Sequence, residues 1–282
     1  MPRVNRVTII GLGLIGGSLG LALKRHRIAW RVTGYSRKTA TLRRAVARRA
    51  IDFGTTDLGR AVRDAEIVVL ATPVETVVPL ARRAASAMAQ GSVLTDVGST
   101  KALIVRALER GLPRGVTFVG AHPLAGSERQ GIEAADWQLF DGSICVVTPT
   151  VRTNHQALKR VTQLWKPLVQ RVVTMSPQRH DQLLASTSHL PHLLAFCLMQ
   201  TAQSKSLLSA PRSLLEMTRI AKSSPELWDG IFLTNRTALL AEMACFDRQW
   251  RALRTQLIKK DRGGLRRLLS QAKAKRDALK DL

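Results

Sequence analysis

The chain has 282 residues, 45% of them hydrophobic, and 44 lysines and arginines stand against 20 acidic residues, a formal net charge of +24. That length suggests one large or two modest domains, and no apolar run reaches the roughly 18 residues that a membrane span needs. Cys145, Cys197 and Cys245 form no CxxC pair and read as reduced thiols of a cytoplasmic protein. Met1-Pro2-Arg3-Val4 runs straight into the first strand signal, so no signal peptide is expected.

The positive charge admits two readings. A nucleic-acid partner is one. Against it, the basic residues are spread along the whole chain and aromatics make up only 4% of it, so base-stacking platforms are scarce. Residues 251–282 hold 11 basic and 3 acidic residues, but Leu253, Leu257, Leu265, Leu268 and Leu269 recur there at helical spacing, which makes the charges solvated helix faces. An Arg-rich composition is favoured over a polyanion site, and an anionic substrate would gain from the field in either case.

In chain order, short apolar strands are expected at Arg6–Ile10, Arg31–Gly34, Ile67–Ala71, Val93–Thr95, Val116–Gly120, Ile144–Thr148 and Arg171–Thr174. Helical patterns such as Val74–Met88 and Lys101–Glu109 lie between them. This alternation predicts a doubly wound parallel α/β sheet covered on both faces. From Pro177 the strand signals stop, and Asp181–Gln203, Pro211–Ala221, Pro225–Arg251 and the tail read as helices. The expected organisation is a dinucleotide-binding domain over 1–176 and an all-α domain over 177–282, the boundary falling where Pro177 can open a helix.

The first strand leads directly into Gly11-Leu12-Gly13-Leu14-Ile15-Gly16, a GxGxxG turn between strand and helix, which is the setting in which that motif binds a dinucleotide. Gly11 suits the tight turn, Gly13 the approach of a pyrophosphate and Gly16 the close helix–strand packing; the helix N-terminus offers free N–H groups to the phosphates. An acidic residue about 20 positions on would select NAD, but Ser36 stands there, followed by Arg37 and Lys38. Nothing in that turn repels a 2′-phosphate and two cations attract one, so NADP is favoured, with NAD use also open. No metal site is expected.

Polar clusters follow the strand ends, where open α/β sheets place their chemistry: Thr72-Pro73, then DVGSTK at 96–101, then HPLAGSE at 122–128. SHLPH at 188–192 and TRIAKSSPELW at 218–228 stand out in the helical half. Together with GLGLIGGS, these segments resemble the prephenate and arogenate dehydrogenases of tyrosine biosynthesis, over almost the whole chain and in a stand-alone form without a mutase or regulatory domain. The resemblance implies an oxidative decarboxylation: a cyclohexadienyl dianion loses a hydride to the nicotinamide and its ring carboxylate as carbon dioxide. It assigns His122 as general base and Ser99 as the group bonding the substrate hydroxyl; serine at that place could equally cap the following helix.

It further assigns Arg219 to a substrate carboxylate, which its planar fork suits. His189 and His192 become polar pocket groups, either of which could be a satisfied core histidine instead, and Trp228 a pocket aromatic. Ser127 and Glu128 lie near His122; Glu128 could gate the pocket, pair with Arg219 or be a surface residue. Thr72 and Pro73 flank the cofactor. The chain departs from the family at Ala210–Met217, where the usual glycines are absent and Leu215 stands at a basic position; Arg212 could substitute from another angle. Prephenate is favoured over arogenate. The competing readings are a β-hydroxyacid or pyrroline-carboxylate type dehydrogenase, and a basic nucleic-acid-binding Rossmann protein. Long apolar stretches in 177–282 exceed what so small a domain hides alone, and relatives of this type dimerise there, so a homodimer is expected.

Overall fold

The computed structural model describes residues 4–202 and 210–279. Eight strands form one sheet: β1 (Val4–Ile10), β2 (Ala29–Tyr35), β3 (Phe53–Thr55), β4 (Ile67–Leu70), β5 (Val93–Asp96), β6 (Thr117–Pro123), β7 (Ile144–Thr148) and β8 (Arg171–Thr174). Their order is β3-β2-β1-β4-β5-β6-β7-β8. The central strands are apolar on both faces, as parallel strands covered by helices must be: all four residues of β4 are buried, as are Val7, Thr8, Ile9 and Ile10 of β1. On one face, α1 (Leu14–Arg25) and α6 (His155–Trp165) pack Leu19, Leu23, Val161, Leu164 and Trp165 onto the sheet. On the other, α3 (Leu58–Val62), α4 (Val74–Ala85) and α5 (Ala102–Leu108) contribute Val62, Val77, Ala81, Ile104 and Leu108. A helix α2 (Thr39–Ala47) follows β2.

Two features depart from the sequence expectation. The strand β3 was not anticipated, because Phe53-Gly54-Thr55 is too short to show an alternation. The sheet is also not wholly parallel: β7 runs antiparallel to β6, pairing His122 with Val146 and Pro123 with Cys145. Residues 124–143 join these two strands with only a 3₁₀ turn at Ile132–Ala134, and without a crossover helix adjacent strands return antiparallel.

After β8, Ser176 caps α7 (Pro177–Leu184), its hydroxyl accepting from the Arg179 N–H at 3.2 Å. A π turn at Ala185–His189 leads into α8 (Leu190–Thr201). The Gln203 end of the helix expected from Asp181 lies outside the described residues. Then come α9 (Arg212–Thr218), a 3₁₀ turn at Arg219–Lys222, α10 (Pro225–Thr234), α11 (Arg236–Ile258) and α12 (Arg262–Asp277). The single helix expected over Pro225–Arg251 is thus broken at Asn235, which leaves the helical region at φ −109°.

The chain forms two compact units, Met1–Arg236 and Thr237–Leu282. Within the first, Trp228 and Ile231 of α10 pack with Phe196 of α8 against Val74 of α4. The second holds most of α11 and all of α12. Leu240, Met243, Phe246, Trp250, Leu257 and Ile258 are exposed along α11. Among the described residues, no helix is long and apolar enough to cross a membrane, and no cluster of three or more His, Cys, Asp or Glu forms a metal site.

Candidate active site

The three motif glycines occupy three different environments. Gly11 has φ +96°, and a Cβ there would lie 2.5 Å from the Ala71 carbonyl oxygen. A Cβ on Gly16 would lie 1.9 Å from the Gly11 carbonyl oxygen, so α1 can pack this closely only on glycine. Gly13, by contrast, has nothing within 4 Å of its Cβ position. That open space lies at the N-terminus of α1, which has no acidic residue in its first turn and no side-chain cap. The residues present therefore fit a pyrophosphate: unfilled room, free N–H groups and the positive end of a helix dipole converge there. Leu12 is buried in the core, while Leu14 and Ile15 are half-buried. Past β2, the Ser36 hydroxyl accepts from the Lys38 N–H at 3.2 Å, and the Arg37 and Lys38 side chains are exposed. Thr72 is tied to Thr76 by a 2.9 Å hydroxyl–hydroxyl bond at the start of α4, beside an exposed Pro73.

His122 lies near the C-terminal end of β6, which β5 helps to fix. Asp96 ends β5, wholly buried; its carboxylate accepts from the Ala121 N–H at 3.2 Å and the Gly98 N–H at 3.0 Å, and pairs with the buried Lys101 ammonium. His122 Nδ1 is 2.9 Å from His180 Nε2, and His180 Nδ1 is 2.8 Å from Asp181 Oδ1. The Asp181 carboxylate also accepts from the Lys101 N–H at 2.8 Å and the Ala102 N–H at 2.9 Å. Helix α5 is therefore capped by a residue of α7. Ser99 does not cap it: the helix starts at Ala102, three residues on, and Ser99 is half-buried and makes no hydrogen bond among the described residues.

Burial holds the His122 pKa well below its ordinary value, reinforced by His180, Lys101 and His189. Burial also lowers His180, against the raising effect of Asp181. His189 is pushed down to about 4, again mainly by burial. All three rings are neutral near pH 7. His189 Nδ1 is 3.0 Å from Asn235 Nδ2, while its Nε2 is buried without a hydrogen-bond partner. His192 stacks on Trp228 with ring centroids 3.6 Å apart and interplanar angle 22°, and its Nδ1 bonds the Ser188 carbonyl at 2.8 Å. Burial lowers its pKa, and Arg219 lowers it further. Arg219 is exposed in the turn after α9, on a cavity of about 380 Å³ that Met199, Leu214, Thr218 and Lys222 also line.

The structure thus joins His122, His189, His192 and Trp228 through hydrogen bonds and ring contacts, and Arg219 is tied to them only by its electrostatic effect on His192. It does not bring in Glu128 or Ser127. Both are exposed in the loop after β6; Ser127 Oγ accepts from the Arg129 N–H at 3.2 Å, and no ion pair links Glu128 to Arg219 among the described residues. Arg212 pairs with Glu216 at 2.7 Å along the exposed side of α9, one turn apart. Sequence reasoning missed His180, Asp181 and Asn235. The available signal was polarity on a buried face: His180 and Asp181 share the core-facing side of α7 with Leu184.

Residues 19–174 match the model of the prephenate dehydrogenase nucleotide-binding domain, and residues 176–271 match that of the prephenate dehydrogenase dimerization domain. Prephenate dehydrogenase of Bacillus subtilis is 35% identical over 98% of this chain and 76% of its own. Cyclohexadienyl dehydrogenase of Zymomonas mobilis is 33% identical over 99% of this chain and 98% of its own. The crystal structure of Aquifex aeolicus prephenate dehydrogenase, in complex with hydroxyphenyl propionate and NAD+, superposes with a TM-score of 0.90 at 31% identity, covering 98% of both chains. With both halves matched and the cofactor turn and buried histidines in place, the chain belongs to the prephenate dehydrogenase family and is an NAD(P)-dependent dehydrogenase.

Proposed function

We propose that this enzyme converts prephenate to 4-hydroxyphenylpyruvate and carbon dioxide, in tyrosine biosynthesis, with NADP preferred over NAD. The observation that carries the reading is His122: a buried, neutral imidazole whose Nδ1 is engaged by His180 and whose Nε2 has no partner among the described residues. A neutral imidazole held in this way is a competent base at physiological pH. His122 takes the proton of the ring hydroxyl, and the half-buried Ser99 bonds that hydroxyl. Arg219 holds a substrate carboxylate through its two-pronged guanidinium. His189, His192 and Trp228 form the polar and aromatic walls, with Ser127 and Glu128 at the loop edge. When bound, the nicotinamide accepts the hydride. Gly11–Gly16 would hold its pyrophosphate, Thr72 and Pro73 would flank it, and Ser36, Arg37 and Lys38 would receive the 2′-phosphate.

The functional division is a cofactor domain over 1–176 and a substrate and dimerisation domain over 177–282. The working form is a cytoplasmic homodimer, for which the exposed apolar stripe of α11 argues. The +24 charge serves an anionic substrate rather than a nucleic acid. The test is a matrix of prephenate and arogenate against NADP and NAD, read by absorbance of the reduced cofactor. The highest kcat/KM is expected for prephenate with NADP. A higher value for arogenate or for NAD would overturn that part of the reading.

A further inference from the structure

The hydrogen bonds around Asp181 fix where two histidine protons reside. A carboxylate only accepts, so His180 must donate through Nδ1 across the 2.8 Å contact, as the Lys101 and Ala102 N–H groups donate to the same side chain. A neutral His180 that carries its proton on Nδ1 has a bare Nε2. That bare nitrogen is 2.9 Å from His122 Nδ1, which must therefore be the donor. His122, neutral in turn, is left with a lone pair on Nε2.

A second branch leaves the same residue. The Asp181 backbone carbonyl accepts from Asn235 Nδ2 at 2.8 Å, which orients the amide with its nitrogen inward. The other proton of that nitrogen points across 3.0 Å to His189 Nδ1, which must accept. Neutral His189 then carries its proton on Nε2, the buried atom that has no partner. A buried donor left unsatisfied is destabilising unless something takes the bond.

We propose that Asp181 is a positioning residue that, through His180 and Asn235, holds His122 and His189 in opposite tautomers: His122 as acceptor at Nε2 and His189 as donor at Nε2. The inference rests on the reading of His122 as the base. The two rings then do complementary tasks on one bound molecule. The bare nitrogen of His122 takes the hydroxyl proton, and the N–H of His189 donates to an oxygen acceptor, a carboxylate or a carbonyl. As His122 becomes charged, its Nδ1–H···Nε2 bond to His180 becomes charge-assisted and strengthens, and the His180–Asp181 bond behind it is polarised in the same direction. Moving the His180 proton from Nδ1 to Nε2 would shift a proton onto His122 Nε2 and abolish the base without replacing any residue that touches substrate.

The test has two readouts on the full-length protein. The first is imidazole ¹⁵N NMR at neutral pH, tractable because the chain has only six histidines. The expected result is a protonated Nδ1 on His122 and a protonated Nε2 on His189. The same tautomer on both rings, or a protonated Nε2 on His122, overturns the proposal. The second compares His180→Phe, which keeps a ring of similar size but no acceptor, with His180→Gln, which keeps a carbonyl acceptor. We expect kcat to fall about a hundredfold or more in His180→Phe, by the loss seen when a base adopts the wrong tautomer, with KM little changed and partial recovery in His180→Gln. A role confined to packing predicts the reverse order, and a His180→Phe variant with undiminished kcat refutes the proposal. If His180→Phe does not fold, the NMR readout decides. If the unmodified enzyme turns over neither cyclohexadienyl substrate, the functional reading fails, whereas the NMR result still judges the tautomers.

Discussion

The buried histidines make the fold acid-sensitive in a way that can be worked out from His189. Its pKa falls from 6.5 to about 4, chiefly through burial. An unfolded chain returns it to about 6.5. The native state therefore binds fewer protons than the unfolded one between those values. Stability from this group is complete above about pH 6.5 and drains away as the pH drops toward 4. The total is about 3 kcal/mol, of which about 2 kcal/mol is lost between about pH 7.5 and about pH 5. Burial shifts His122, His180 and His192 in the same direction, so the whole protein should lose more than His189 alone accounts for. The perturbation is His189→Gln, which removes the titration and keeps a carbonyl able to accept from Asn235. The assay is urea unfolding across that range at one chain concentration, since association would otherwise shift the midpoints. The variant should be less sensitive to acid than the unmodified protein by about 2 kcal/mol. Parallel stability–pH curves for the two would refute the reasoning and mean that His189 is solvated.

Ser36→Asp should swing cofactor preference toward NAD by setting a carboxylate against the 2′-phosphate; an unchanged ratio of kcat/KM for NADP over NAD would show that the phosphate lies elsewhere. Arg219→Ala should raise KM for prephenate about 10- to 100-fold, in line with about 1.5–3 kcal/mol for a hydrogen bond to a charged group, with Lys a partial rescue. Unaltered substrate affinity would turn attention to Lys222 on the same cavity. Light scattering at low micromolar concentration should report about twice the 31.0 kDa chain mass, and a clean, active monomer would contradict the homodimer.

Much of the fold is legible because its signals are local. The β-branched run before Gly11 and the continuous apolar stretch Ile67–Leu70 each declare a central strand without help from the rest of the chain. The antiparallel β7 does not announce itself: Ile144–Thr148 is apolar in either direction, and its sense depends on what residues 124–143 build between it and β6. The candidate site divides in the same way. His122, Arg219 and Trp228 sit in recognisable motifs. Asp181 and Asn235 are 54 positions apart and meet only through a backbone carbonyl, which no sequence spacing encodes. Of the two roles open to Ser99, only the capping one fails, and for the opposite reason. A serine just before a helix is a favoured cap, yet here the cap arrives from Asp181, some 80 residues downstream of Lys101.

The central claim is that His122 is the base for an oxidative decarboxylation, and His122→Ala tests it most directly. Prephenate-dependent cofactor reduction and carbon dioxide release should proceed one for one in the unmodified enzyme. In the variant both should fall together, by about a hundredfold or more, while cofactor binding followed by fluorescence stays intact, because His122 is remote in sequence from the Gly11–Gly16 turn. Turnover near the unmodified rate in that variant would contradict the account.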